Sequence, residues 1–163
     1  MNSERTDYTG QTWIQLVTFR LGREHYGIPV SKVKEIIRPM EACPIPGMAG
    51  PVEGVINLRG EIIPVLRIHE VLGVKAGSDQ IARKQRVIIL DSGEGGFGVT
   101  VDEVLEVVKI DEAQIKHSPG VSADHRCEQA ILGIVESAGH MVIVLDPAIL
   151  VSESLEIEEL VGR

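Results

Sequence analysis

Gly93-Glu94-Gly95-Gly96-Phe97-Gly98 follows an apolar run and satisfies G-x-G-x-x-G, the spacing with which a glycine-rich turn aims backbone N–H groups at a phosphate. In a dinucleotide fold that loop opens a helix, whereas here Val99-Thr100-Val101 continues as a strand. A kinase-type loop tolerates a strand but wants valine two places past its last glycine and a lysine on the next strand. This chain has Thr100 and no lysine before Lys109. The histidines at 25, 69, 117, 125 and 140 form no H-E-x-x-H and no close pair. His117, His125 and Cys127 are three potential zinc ligands without the second short-spaced pair that structural zinc uses. Cys43 stands between Ala42 and Pro44 with no basic neighbour, and no serine occupies an elbow motif. The expectation is no catalytic centre, no metal and no cofactor.

Asn57-Leu58-Arg59-Gly60 is a different kind of feature. It joins two apolar strand patterns, Val52 to Leu58 and Glu61 to Ile68, and a hairpin turn does not require arginine. Two readings stay open: a solvated turn, or a planar guanidinium fork offered to a carboxylate or to backbone carbonyls of a partner.

What positions these residues is a duplication. Tyr26 to Arg38 recurs as Phe97 to Lys109, 71 positions on, with Gly27 falling on Gly98 and Glu35 on Glu106. Farther along the offset is 79: Gly54-Val55-Ile56 falls on Gly133-Ile134-Val135, Gly60 on Gly139, and Ile62 to Leu66 on Met141 to Leu145. The eight extra residues of the second copy sit in a middle connection, where insertion costs little. The repeat removes the phosphate reading, because the matching turn, Gly22-Arg23-Glu24-His25-Tyr26-Gly27, is a hairpin without the middle glycines. It also isolates Arg59, since the second copy has Glu136-Ser137-Ala138-Gly139 at that turn.

Each copy reads as two hairpins and a short connecting piece that is helical turn or strand over Ser31 to Arg38, with a short helix expected before Gly73. The fold expected is mainly β, with two five-stranded barrels packed side by side and few short helices. One domain is expected over 13–151, made of a first subdomain at about 13–73, a polar linker 74–83 and a second subdomain at about 84–151. Residues 1–12 read as a polar tail, and 152–163 as an acidic segment spaced like a short amphipathic helix. Units of this size bury too little surface alone, so the copies should share a core. The seam between them is expected to be an apolar groove lined by Val33, Ile36, Val101 and Val104, with Glu35 and Arg59 at its rim, able to receive the apolar face of a helix.

The formal net charge of -8 repels a phosphate backbone, and 3% aromatic residues supply no base-stacking platform, so nucleic acid is excluded as a partner. No apolar run has transmembrane length. Two cysteines at non-matching places exclude a duplicated disulfide framework, and a reduced, cytoplasmic setting is expected.

Several runs, taken in order, resemble the CheW-type chemotaxis coupling proteins: Phe19-Arg20-Leu21-Gly22 with Tyr26-Gly27-Ile28, Val33-Lys34-Glu35-Ile36, Gly54-Val55-Ile56-Asn57-Leu58-Arg59-Gly60, and Gly98 to Val104. The resemblance covers roughly Trp13 to Val151, and the Gly54 to Gly60 run is its most specific part. It implies Src-homology-3-like barrels, no enzymatic activity, and a cytoplasmic protein recruited to membrane receptor arrays without inserting in the membrane. The implied partners are the regulatory domain of a CheA-type histidine kinase and the cytoplasmic tip of methyl-accepting chemoreceptors. By resemblance Val33, Glu35 and Gly54 are receptor contacts, Arg59 serves receptor or array contacts, and the kinase engages barrel ends of both subdomains. Together with Ile36, Asn57, Leu58, Val101 and Val104 these are the candidate partner-binding residues. Arg67 stands where the family commonly has an acidic residue. An adaptor of the same family in twitching motility or surface sensing is the alternative, and a small-molecule sensor in the seam is a weaker one.

Overall fold

The computed structural model describes residues 5–6, 10–47, 50–75, 83–91, 95–117 and 130–150. Most of the expected linker, most of the 117–128 loop and the whole acidic segment 152–163 lie outside them. The strands are β1 (Arg5–Thr6), β2 (Thr12–Leu21), β3 (Glu24–Pro29), β4 (Val33–Ile37), β5 (Val52–Leu58), β6 (Glu61–Leu66), β7 (Arg86–Asp91), β8 (Gly96–Val101), β9 (Glu103–Asp111), β10 (Ile131–Ser137) and β11 (His140–Leu145). The short helix α1 (Ile68–Leu72) ends as expected on Gly73 in the left-handed conformation, φ 68°. The ambiguous piece at 31–38 is a 3-10 turn over Val30–Lys32 followed by β4, whose burial alternates residue by residue as a strand's does. Part of the polar tail also takes structure, because β1 pairs with Thr12 and Trp13 of β2.

The strands form two sheets, which do not divide where the sequence does. The first runs β9-β2-β3-β11-β10, with β1 also on β2, and the second runs β4-β7-β8-β6-β5. Each sheet therefore combines the first hairpin of one copy with the last three strands of the other. The expected subdomains, 13–73 and 84–151, are corrected: neither is a structural unit. The physical reason lies in two short connections. For β4 to pair with β2 of its own copy, the chain would have to cross β3 and reach the far side of β2, about 10 Å of lateral travel. The intervening 3-10 turn Val30–Lys32 advances only about 6 Å. Between β8 and β9 the connection is Asp102 alone. Both chains must leave for the other sheet, where β4 joins β7 and β9 joins β2.

The duplication is obeyed in register. β11 lies parallel to β3 with Val144 on Gly27, and β6 lies parallel to β8 with Val65 on Gly98. Matching bulges fall between Val52 and Gly54 in β5 and between Ile131 and Gly133 in β10. Pro64 sits opposite Val55 beside the first of these bulges, as a residue without a ladder donor should. Each sheet bends back toward its starting strand, through the bridges Cys43 to Val55 and Lys116 to Ile134.

Each sheet encloses a small apolar cluster of its own, Ile56, Ile63, Val65, Val87 and Ile89 in the second, and Ile14, Leu16, Ile110, Val135, Val142 and Val144 in the first. The largest cluster lies between the sheets and draws on both: Phe19, Leu21, Tyr26, Ile28 and Leu145 from one, Leu66, Ile88, Leu90, Phe97, Val99 and Val101 from the other. The seam is thus a shared core. The expected open groove is corrected, since Val101 is fully buried there and Val33 and Val104 pack against the same cluster.

One polar group is built into the seam. Asp102, 2% exposed, accepts a hydrogen bond from the Gly22 N–H at the β2–β3 turn (2.7 Å) and faces His69 Nε2 of α1 at 3.0 Å. It ties a turn of the first sheet to the helix that follows the second. Its counterpart in the first copy is Ser31, and that of His69 is Ala148, so the clamp exists on one side only.

Two outcomes follow. Fragments 1–75 and 76–163, expressed separately, are expected to give collapsed amide spectra, and mixing them should restore dispersed strand resonances; a dispersed spectrum from either half alone would contradict the exchanged topology. Asp102→Ala leaves the part-buried Gly22 N–H unpaired and should cost about 1–3 kcal/mol, read as a shift in the urea midpoint with an unchanged slope.

Candidate partner-binding surface

The candidate residues collect where β4 meets the tip of the β5–β6 hairpin. Leu58 pairs with Glu61, so Arg59 and Gly60 make a two-residue turn, with φ of 52° and 89°. Positive φ at both positions is the type I′ turn that matches strand twist, and Asn57 Oδ1 accepts the Gly60 N–H at 2.9 Å. The second position has the glycine this turn favours; the first has an arginine, which as an L-residue pays a steric cost in the left-handed region. The turn therefore gains nothing from Arg59, whose side chain must supply the reason for it.

That side chain reaches β4. Arg59 Nη1 donates to Glu35 Oε1 at 3.0 Å, and Nη2 donates to Glu35 Oε2, a fork-to-fork pair across 24 residues of sequence. The hydrogen bonds from Arg59 hold the Glu35 carboxyl below its ordinary value against an opposing desolvation, with a lesser contribution from the arginine's charge. Arg59 is raised in return. The pair is exposed, the arginine at 69% and the glutamate at 32%, so its weight in stability is small. Its geometric effect is larger: it holds the hairpin tip against β4 and presents a fixed, planar, polar plate. Ile36, next to Glu35 in the chain, is 40% exposed, and Ile62, three residues beyond Arg59, is 61% exposed.

The other expected residues divide. Leu58 is half-buried against the second sheet's own cluster, and Asn57 is exposed but engaged in the turn. Val101 belongs to the seam. Gly54 is buried at the bulge with φ 155°, and a Cβ there would lie 2.6 Å from the Cys43 carbonyl oxygen. Its glycine is required by the close approach of residues 42–43, so any acidic substitution disturbs the fold before it disturbs a contact. Sequence reasoning missed Ile62, whose exposure depends on strand register, and the Asp102 clamp, whose three partners lie far apart in the chain.

The CheW-like domain family matches residues 15–155. The chain belongs to this family. It is 33% identical over 134 residues to the chemotaxis protein CheW of Treponema pallidum (strain Nichols), covering 81% of this chain and 78% of that one. It is 31% identical over 122 residues to protein FrzA of Myxococcus xanthus, covering 75% and 74%. Among solved structures, the scaffolding protein TtCheW from Thermoanaerobacter tengcongensis matches with a TM-score of 0.76 and 31% identity over 84% of this chain and 86% of that one. The mainly β, two-sheet architecture is thus that of a CheW-like domain.

Arg59→Gly is expected to relieve the left-handed strain while removing the fork, leaving the melting temperature unchanged or higher; a clear fall would show that the ion pair outweighs the strain. Because the folded-state pKa of Glu35 lies below its ordinary value of 4.5, any stability the pair contributes is present above that value and lost as pH falls through the folded one. The difference in melting temperature between wild type and Glu35→Gln should accordingly hold from pH 7 to about pH 5 and disappear in stronger acid.

Proposed function

We propose that the protein is a non-enzymatic chemotaxis scaffold that couples methyl-accepting chemoreceptors to the regulatory domain of a CheA-type histidine kinase, working in the cytoplasm and held at receptor arrays through these partners. The observation that carries this reading is the Glu35–Arg59 pair. It is a built, exposed polar plate that the turn does not need, on strands that also leave the apolar side chains Ile36 and Ile62 exposed. Apolar surface supplies affinity and the fixed charges supply register. Family membership supports the same reading, as do the names of the relatives, a chemotaxis protein and a scaffolding protein.

The receptor-facing residues we propose are Glu35, Ile36, Asn57 and Arg59, with Val33, Leu58 and Gly54 holding the strands beneath them. Such a protein performs no chemistry. It transmits a signal by binding the receptor's signalling states unequally, since equal affinity for both shifts no population. The likeness to FrzA is one within the same family; the alternative kept beside this reading is a same-family adaptor in twitching motility or surface sensing, with other partners on a shared surface.

Co-sedimentation with a purified kinase and a receptor cytoplasmic fragment is expected to yield a ternary complex. Arg59→Ala and Ile36→Asp should weaken receptor binding at least tenfold while the amide spectrum keeps its dispersion. Absence of binding to every candidate kinase and receptor at tens of micromolar, roughly -6 kcal/mol, would sink the proposal.

A further inference from the structure

The two sheets are related by the duplication, so every position of the Glu35–Arg59 plate has a counterpart on the first sheet. Glu35 maps to Glu106, Ile36 to Val107, Arg59 to Ala138 and Ile62 to Met141. The backbone is reproduced: Ala138 has φ 51° against 52° for Arg59, and Gly139 follows it at 80°. Apolar exposure is reproduced as well, with Val107 at 57% and Met141 at 61%. Only the arginine is missing.

Its absence leaves a pocket of about 240 Å³, lined by Glu106, Ala138, Thr18, His25 and His140 among others. Thr18 accounts for the Glu106 backbone, donating to its carbonyl at 2.8 Å and accepting from its N–H at 3.2 Å. The Glu106 carboxylate itself has no hydrogen-bond or ion-pair partner among the described residues. The imidazoles of His25 and His140 are stacked, with centroids 4.3 Å apart and planes 24° from parallel. Burial, then His140, then Arg20 lower the His25 pKa below its ordinary value, so that ring is neutral at neutral pH and does not repel a cation.

We infer that this pocket is a docking subsite for an arginine side chain projected by a partner protein, which completes on the first sheet the fork that Arg59 completes on the second. A carboxylate beside flat aromatic rings selects a guanidinium over an ammonium, because arginine pairs bidentately and stacks while lysine is a solvated point charge. Val107 and Met141, on the strands that carry Glu106 and follow Ala138, leave further apolar surface exposed outside the pocket. A second copy of the chain is a poor source, since two chains of formal net charge -8 repel each other. The inference rests on the scaffold reading and adds the chemistry of a second contact, which a protein joining two partners needs.

The test uses the full chain and three variants, Glu106→Arg, Glu106→Gln and Ala138→Arg, each first checked for a native amide spectrum. In free Ala138→Arg the new side chain should pair with Glu106 and lower its carboxyl titration relative to wild type by NMR; an unchanged titration overturns the subsite. Against purified kinase regulatory domain and receptor fragment, all three variants should weaken the same partner, Glu106→Arg and Ala138→Arg at least tenfold. Changing one arginine of that partner to glutamate should restore binding to Glu106→Arg. Variants that bind both partners like wild type overturn this inference and leave the scaffold reading standing. A wild type that binds neither overturns both. Self-association that Glu106→Arg abolishes would overturn the partner assignment in favour of a second copy.

Discussion

Everything in this molecule depends on the closed seam between the sheets. A copy of the repeat is too short to bury a sufficient core alone, and the short connections after β3 and β8 forbid each copy from completing its own sheet. The chain answers both constraints at once by exchanging hairpins, so the largest apolar cluster forms between sheets that are themselves assembled from both copies. Separating the copies means losing strand pairing as well as packing, because each sheet pairs strands of both, and separating the sheets is opposed by the short connections at 30–32 and 102 that tie them. The seam behaves as a rigid joint for that reason.

A rigid joint moves the partner surfaces away from the seam and onto the outer strands. The hairpin tips at 59–60 and 138–139 are where the chain exposes bulky apolar side chains next to strand carboxylates. Duplication first makes two equivalent surfaces; one difference, arginine or alanine in the same left-handed position, then makes them chemically unlike. The second sheet shows a satisfied, self-paired plate, and the first shows an open cavity whose carboxylate has no partner among the described residues. Asp102 and His69 break the symmetry again inside the seam, and lock the β2–β3 turn to α1 on one side only.

Much of this was legible in the sequence, and the part that was not has a common cause. Strand positions, the hairpin turn at Arg59-Gly60 and the cap at Gly73 are local signals, and the repeat reinforced the strands and the turn by stating them twice. Family resemblance read from the Gly54 to Gly60 run agrees with the match over residues 15–155. The exchange of hairpins was not legible, because a hairpin's own pattern is the same whichever sheet receives it; the lengths of the connections at 30–32 and 102 decide. The closed seam was hidden for the same reason, since an open groove belongs between two copies that each close on themselves, and these copies do not. Arg59 stood out as a divergence between copies, but its pairing with Glu35 needs the strand register to bring the two together.

If the seam is a rigid joint, a signal crosses this protein as a change in which outer contacts are made rather than as a hinge opening between two lobes. A hinge would need an element with two packings of similar energy, and the seam offers a single apolar cluster clamped by a buried carboxylate. The exposed ion pair is of the opposite kind: its net free energy is small, its partners are solvent-accessible, and a competing carboxylate can take the Arg59 fork from Glu35 with little penalty. A partner state that engages Arg59 and one that leaves it on Glu35 then differ by contacts at the hairpin tip alone. Such a difference can bias a partner's equilibrium only as far as its binding free energies to the two states differ. This gives one exposed arginine, on a turn that would be easier without it, a reason to be there.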